Sequence, residues 1–256
     1  MKEKAPNIIC VFTDPLGVTD VGGTLAKHAE NGGKVVAVVL WEYPKEMMKQ
    51  IAEIASILGI EIEVLGYKRG EVNADFETKK TLVRIIRETR PDIAITFDHE
   101  FAISTTHGDH IITHELVMES LGMCYRDDFA PEQLQEGLEP HFVKSVYYPV
   151  WEPYAMPNII VDITDFFDLK LKATVALKGQ LKATGGFLPK IYSEKALKAL
   201  IPNYEQVKGN PLKLGEVFQR QRREATARFW GHRVWGVVYG EPFRVREPLK
   251  LGLLQY

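Results

Sequence analysis

Arg90-Pro91-Asp92-Ile93-Ala94-Ile95-Thr96-Phe97-Asp98, followed eight residues later by His107-Gly108-Asp109-His110, decides the reading of this 256-residue chain. The residue before a proline is pushed out of the α region, so a helix ends at Arg90, and residues 93–97 form a buried apolar run of strand length. Residues 98–106 read as a polar loop. From about Asp109 the apolar residues Ile111, Ile112, Leu116, Val117 and Leu121 recur at helical spacing. Two imidazoles and a carboxylate are therefore gathered where a loop enters a helix, at the carboxyl end of a strand. Open α/β sheets place their ligands there.

Upstream, the same alternation repeats. Residues 7–12 are a buried strand, 13–20 are turn-rich, and Gly22-Gly23-Thr24 opens a helix that stops at Asn31-Gly32-Gly33. Residues 34–41 are a second strand, Pro44 begins a helix over 45–58 that Gly59 ends, 60–65 are a third strand, and 75–88 a third helix. Strands separated by helical crossovers pair in parallel, so the class is α/β: a Rossmann-like doubly wound, mostly parallel sheet with helices on both faces. Residues 1–256 read as one domain, with 1–121 its Rossmann-like half and 122–256 supplying the completing strands, a helix and a smaller C-terminal extension. In that second part, 125–141 are an acidic surface excursion. Strands fall at 143–150 and 158–163, a helix at 165–181, a lid-like or linker stretch at 184–211 and a basic helix at 214–229 before the last strands.

An apolar share of 45% supports a sizeable core. The net charge of -2 conceals a split: residues 1–168 hold 15 Lys and Arg against 28 Asp and Glu, and 169–256 hold 17 against 6. That favours head-to-tail contact within or between subunits, hence a homo-oligomer. The basic residues of the second part are scattered among apolar ones, with only Arg220 to Arg223 clustered, which argues against nucleic acid as a partner. Cys10 and Cys124 are far apart, as in a reducing compartment. No signal sequence opens the chain and no apolar run reaches the ~18 residues of a membrane span, so a cytoplasmic protein acting on a small molecule, with no membrane partner, is expected.

Four anchors resemble the PIG-L/LmbE superfamily of metal-dependent N-deacetylases, in that family's order and over nearly the whole chain. They are Gly22-Gly23-Thr24-Leu25-Ala26 after the first strand; Arg90-Pro91-Asp92 with Thr96-Phe97-Asp98 and His107-Gly108-Asp109-His110; Val161-Asp162-Ile163-Thr164 leading into a helix that ends at Gln180; and Gly236-Val237-Val238-Tyr239-Gly240-Glu241-Pro242-Phe243. The resemblance implies that His110 is a metal ligand, that His107 stabilises the charged tetrahedral intermediate, and that Asp109 supports the neighbouring histidine. It also implies an A-H-P-D-D stretch holding a histidine ligand, an aspartate base and an aspartate ligand. Counted back from Gly22, those three places are Thr13, Pro15 and Leu16. The family's arginine and glutamate on the next helix fall near Met47 and Gln50.

A catalytic zinc needs three protein ligands and an open position. Zinc is therefore expected only if another donor replaces the lost ones: Asp14, one residue out of register, is the foremost, with Asp98, His99, Glu100 and Asp20 behind it. The expected catalytic set is His107, Asp14 and Asp109; the metal set is His110 and Asp14; and Trp41, Asp98 and Glu100 are candidates for contacting substrate. Plainer roles stand beside these. Asp14 before Pro15 suits a turn that bonds its own backbone, Asp20 a helix cap, Asp109 a carboxylate near a helix dipole, His114 the surface, and Gly22-Gly23 close contact rather than phosphate binding. Trp151 and Trp230, like Trp41, are either sugar-stacking or core aromatics.

Three functions fit. The first is hydrolysis of an amide or related C–N bond in a small polar, sugar-like metabolite, by N-deacetylation through a rearranged metal site. The second is metal-independent chemistry on another bond by His107, His110 and Asp14. The third is a non-catalytic binding subunit.

Overall fold

The computed structural model describes residues 4–105, 107–151 and 156–246. In chain order these form β1 (Ile8–Phe12), α1 (Pro15–Asp20), α2 (Gly22–Glu30), β2 (Val35–Trp41), α3 (Lys45–Leu58), β3 (Glu61–Tyr67), α4 (Phe76–Thr89), β4 (Ile93–Ile95), α5 (His99–Ser104) and α6 (Gly108–Met123). There follow α7 (Pro131–Gln135), β5 (Ser145–Pro149), β6 (Ile159–Asp162), a 3-10 turn (Thr164–Phe166), α8 (Phe167–Ala176), α9 (Lys178–Ile191), α10 (Glu194–Leu200), α11 (Tyr204–Val207), α12 (Pro211–Gly231) and β7 (Gly240–Arg246).

The seven strands make one sheet in the order β3-β2-β1-β4-β5-β7-β6. The first five pair in parallel, and β7 runs antiparallel between β5 and β6. Strands covered on both faces read as continuous apolar runs, and β1 and β2 are buried at every residue. Successive side chains still point to opposite faces. Ile8, Cys10 and Phe12 join one core with residues of α1, α2, α3 and α8. Ile9 and Val11 join the other, with α4 and α6. The sheet order reverses between β1 and β4, so the crevice of this fold opens above the carboxyl ends of those two strands.

Local sequence placed α2, α3 and the parallel strands well, and misplaced four features. The stretch read as turns after β1 contains α1, because Asp14 caps it: one carboxylate oxygen accepts from Leu16 N (2.7 Å) and Gly17 N (3.4 Å). The loop after β4 contains α5, capped in the same way by Asp98 on Glu100 N (2.9 Å). The single helix expected over 165–181 is two, α8 and α9. The linker expected over 184–211 is mostly helical, as the end of α9, α10 and α11. Arg90 ends α4 with φ 48°, in the left-handed rather than the extended region. The acidic excursion after α6 is held from beneath by buried Arg87, which donates to the carbonyls of Cys124, Arg126, Phe129 and Ala130 and to Gln133 Oε1.

The two glycines Gly185 and Gly215 let α9 and α12 touch backbone to backbone. A Cβ at Gly185 would lie 1.9 Å from Pro211 O, and one at Gly215 would lie 1.9 Å from Leu181 O. Gly185→Ala and Gly215→Ala are each expected to cost about 1–3 kcal/mol or more, because backbone cannot move aside as a side chain can. Gly186→Ala meets nothing within 4 Å and is expected to gain about 0.5–1 kcal/mol from the lost chain entropy. Urea unfolding of the three variants checks this, and equal effects at Gly185 and Gly186 would show that the two helices do not meet so closely.

Candidate functional site

Thr13 and Asp14 leave β1, Trp41 and Tyr43 leave β2, Arg69 and Gly70 follow β3, and Asp98 follows β4. All lie at carboxyl ends of parallel strands around the switch point, and α6 brings His107, Asp109 and His110 to the same place. His107 is the N-cap residue of α6, yet its side chain makes no cap bond, and its buried Nδ1 has no hydrogen-bond partner. Its ring lies 4.7 Å from that of His110 and 5.2 Å from Trp41. His110 Nδ1 lies 3.0 Å from Thr105 Oγ1, and its ring rests against Phe97 at 4.5 Å.

Asp109 acts on His110 through its charge, which favours the protonated imidazole, and its hydrogen bonds go to other partners. It is buried, and its Oδ2 accepts from Trp41 Nε1 and from Gly70 N, each at 2.7 Å. The carboxylate thereby ties the end of β2 and the turn after β3 to the start of α6. Trp41 is 3% exposed and carries the Arg69 guanidinium 4.3 Å above its ring, so it offers no free face for stacking on a substrate. Asp98 and Glu100 are likewise engaged: Arg244 from β7 pairs with Asp98 at 2.5 Å and with Glu100 at 3.6 Å.

Arg69 is the residue that sequence reading missed. Exposed on the Trp41 ring, it acts on the charge of Asp14 and on the Tyr43 phenol, and so joins the β1 side of the crevice to the histidines. Only the tertiary contact with Trp41 marks it out, since Lys68-Arg69-Gly70 is an ordinary polar turn in sequence.

Burial shifts the titratable groups here. It raises Asp14 above the usual carboxylate range, against the opposing pull of the Leu16 and Gly17 N–H groups, and the nearby Asp20 raises it further. It also raises the Tyr43 phenol. His110 is pushed down to about 4, first by burial and then by His107. The folded chain thus favours neutral His110, whereas the unfolded chain takes up the proton near 6.5. Stability is therefore expected to fall as pH drops from that value towards about 4, and His110→Gln should flatten this loss. An NMR titration in which His110 protonates near its ordinary value would show instead that the ring is solvated.

Asp20 caps no long helix. It sits at the end of α1 and pairs with buried Arg223 of α12 at 2.8 Å. The cap of α2 comes from 217 residues away in sequence: Glu241 accepts from Gly23 N (3.0 Å) and Thr24 N (2.8 Å). Gly23 itself is needed because a Cβ there would meet Ile163 at 2.8 Å, as close contact predicts. His114 is half-buried, its Nδ1–H donating to the Phe97 carbonyl at 2.8 Å. Of the second-helix positions, Gln50 accepts from Gly179 N at 3.1 Å and Met47 is buried.

These donors do not fit a three-ligand zinc site. Leu16 has none and Thr13 Oγ1 is a neutral hydroxyl, so only Asp14 Oδ2 and His110 Nε2 remain, one donor short of three, with Asp14 Oδ1 on the α1 cap and His110 Nδ1 against Thr105. Among the described residues no group of three or more His, Cys, Asp or Glu side chains is placed to hold a metal ion.

Comparison with known proteins finds sequence and structural likeness to sugar deacetylases. The family model PIG-L, described as GlcNAc-PI de-N-acetylase, matches residues 18–121. Diacetylchitobiose deacetylase of Thermococcus kodakarensis is 28% identical over 184 residues, 65% of this chain and 67% of that protein. The 1D-myo-inositol 2-acetamido-2-deoxy-alpha-D-glucopyranoside deacetylase 1 of Frankia alni is 24% identical over 52% of this chain, and the match spans 55% of that protein. The structure of N,N'-diacetylchitobiose deacetylase from Pyrococcus horikoshii superposes with TM-score 0.68 at 25% identity, over 95% of this chain and 84% of that one. A 4-carboxy-2-hydroxymuconate hydratase, GalB from Pseudomonas putida KT2440, shares the fold at TM-score 0.66 and 18% identity, over 98% of this chain and all of that one. In sequence, sheet and order of anchors, this chain is similar to deacetylases of the PIG-L/LmbE type.

Proposed function

We infer that the protein is a hydrolase of the PIG-L/LmbE type that removes an N-acetyl group from a small acetamido sugar or glycoconjugate. The relatives named as deacetylases of such sugars support the class of bond. The observation that carries the reading is the convergence of Arg69, Trp41, His107 and His110 above the β1/β4 switch point, with Asp14 held on the same rim. Amide hydrolysis requires a water made nucleophilic, a stabilised oxyanion and a protonated leaving amine. Asp14, whose hold on a proton is strengthened by burial, is suited to take a proton from water and return it to the amine. His107 is the donor for the developing oxyanion, and Arg69 supplies the positive charge that orients a polar substrate. Asp98 and Glu100, held by Arg244, shape the rim. Zinc, if held, would rest on His110 and Asp14 alone, a weak site.

The test is acetate release from N,N'-diacetylchitobiose and from N-acetylglucosamine, together with elemental analysis after dialysis. Turnover with well under one equivalent of zinc is expected. Near-stoichiometric zinc that vanishes in His110→Ala would show a rebuilt metal centre, and no acetate from either sugar would count against the deacetylase reading. The buried free thiols of Cys10 and Cys124 support a cytoplasmic setting. Among the described residues no helix is long and apolar enough to cross a membrane. The opposed charges of the two chain parts support assembly of like subunits, although part of that opposition is met within the chain by the Arg223–Asp20 and Arg244–Asp98 pairs.

A further inference from the structure

One hydroxyl fixes which nitrogen of His110 carries its proton. Thr105 follows α5, and its Oγ1 lies 2.9 Å from the Ala102 carbonyl oxygen and 3.0 Å from His110 Nδ1. A threonine hydroxyl has one proton to give and two lone pairs that accept. A carbonyl can only accept, and that of Ala102 stands in the last turn of α5, where helical partners run out. The hydroxyl proton therefore goes to Ala102, and Oγ1 accepts from His110 Nδ1–H. The reverse arrangement, with the hydroxyl donating to Nδ1, makes one hydrogen bond fewer. That bond favours the Nδ1–H form by about two- to tenfold, against the Nε2–H preference of a solvated histidine side chain.

His107 is held the other way. It is the N-cap residue of α6, where unpaired backbone N–H groups make the surroundings positive. Its Nδ1 is buried and has no hydrogen-bond partner among the described residues. A lone pair is tolerated there better than an N–H, so neutral His107 carries its proton on Nε2. The two rings are stacked rather than set edge to edge, 4.7 Å apart and inclined by 21°. Phe97, 4.5 Å from the His110 ring, and Phe101, 6.2 Å from it, hold that ring in place from other sides.

We propose that Thr105 is a positioning residue that sets the two imidazoles in opposite roles: His110 Nε2 accepts a hydrogen bond from the attacking water, and His107 Nε2–H donates to the oxyanion. The proposal rests on the deacetylase reading and deepens it. Asp14 still takes the proton of the water, so His110 neither gains nor loses one. With its proton on Nε2 instead, His110 would donate to that water and engage the oxygen lone pair needed for attack.

Long-range proton–nitrogen correlation NMR of histidine-labelled protein at neutral pH tests it, with His107→Gln and His110→Gln assigning the rings. His110 is expected to show the Nδ1–H pattern and His107 the Nε2–H pattern. Thr105→Val removes the hydroxyl at nearly the same shape and is expected to move His110 towards the Nε2–H pattern, and Thr105→Ser to restore it. In acetate release from N,N'-diacetylchitobiose, kcat is expected to fall about five- to tenfold in Thr105→Val, with KM within about twofold and Thr105→Ser close to wild type. An Nε2–H pattern at His110 in the wild type would overturn the assignment whether or not the valine variant folds, as would an unchanged pattern in folded Thr105→Val. A shifted pattern with unchanged kcat would remove the water-orienting role. If the wild type releases no acetate, the deacetylase reading fails, and the spectra alone decide whether Thr105 sets the pair.

Discussion

His107→Ala is expected to lower kcat/KM for acetate release by about 10²- to 10⁴-fold, the range for removing a positioned acid–base or oxyanion-stabilising group. The fold should survive it. The His107 side chain contributes no cap bond to α6 and leaves a buried Nδ1 unmet, so its removal costs ring contacts with Trp41 and His110 but no hydrogen bond. A stability change within about 1 kcal/mol is expected. Activity and urea unfolding measured on the same preparation separate the two effects. Full activity in the variant would move the chemistry away from α6. Equal, trace activity in wild type and variant would make the chain a binding protein built on an enzyme fold. Asp109→Asn gives the contrast, since Asp109 fastens Trp41 and Gly70: a loss of stability should accompany any loss of turnover.

Glu241→Gln is expected to be the most destabilising single change of comparable shape, at about 3–5 kcal/mol, because it strands a buried cation. Glu241 and Lys170 form a 2.6 Å pair with side chains only 4% and 6% exposed. The same carboxylate supplies the missing cap of α2, where Val21 has no side-chain acceptor to offer. For a chain of this length, such a loss lowers the unfolding midpoint by roughly 6–20 °C. Lys170→Met alone should cost less, since Glu241 keeps two backbone donors. The double variant should be more stable than Glu241→Gln, with thermal unfolding of the cycle giving the coupling. Additive losses would show that Lys170 is already satisfied, by the Asp20 carbonyl that it also touches.

Both results bear on how this fold tolerates change at its centre. The tie between Glu241, Lys170 and the start of α2 joins β7, α8 and α2. The crevice itself has changed its donors. With Thr13 and Leu16 where the family resemblance implies ligands, the remaining reactive groups are those that need no third ligand: the half-buried carboxyl group of Asp14 and two adjacent imidazoles.

What the sequence determined by itself is the parallel half of the sheet and the meeting of two histidines at the start of a helix that follows a strand. The apolar runs of β1 and β2 and the amphipathic α3 and α4 are local patterns, and the fold buries them as such. His107 and His110 were legible because they follow a short strand and begin a helix. The tertiary structure decided what those residues touch. Trp41, Asp98 and Glu100 looked free to meet a substrate, but Arg69 and Arg244 reach them from other parts of the chain. The charges of Asp20 and Glu241 were answered by Arg223 and Lys170, at sequence separations that no window of periodicity spans. The helices α10 and α11 escaped notice because neither is long enough to show a full amphipathic repeat, and burial of Leu197, Ile201 and Tyr204 against Leu214 of α12 holds them. Backbone pattern is a property of neighbours in sequence, whereas the partner of a buried charge is chosen only when the chain has closed around it.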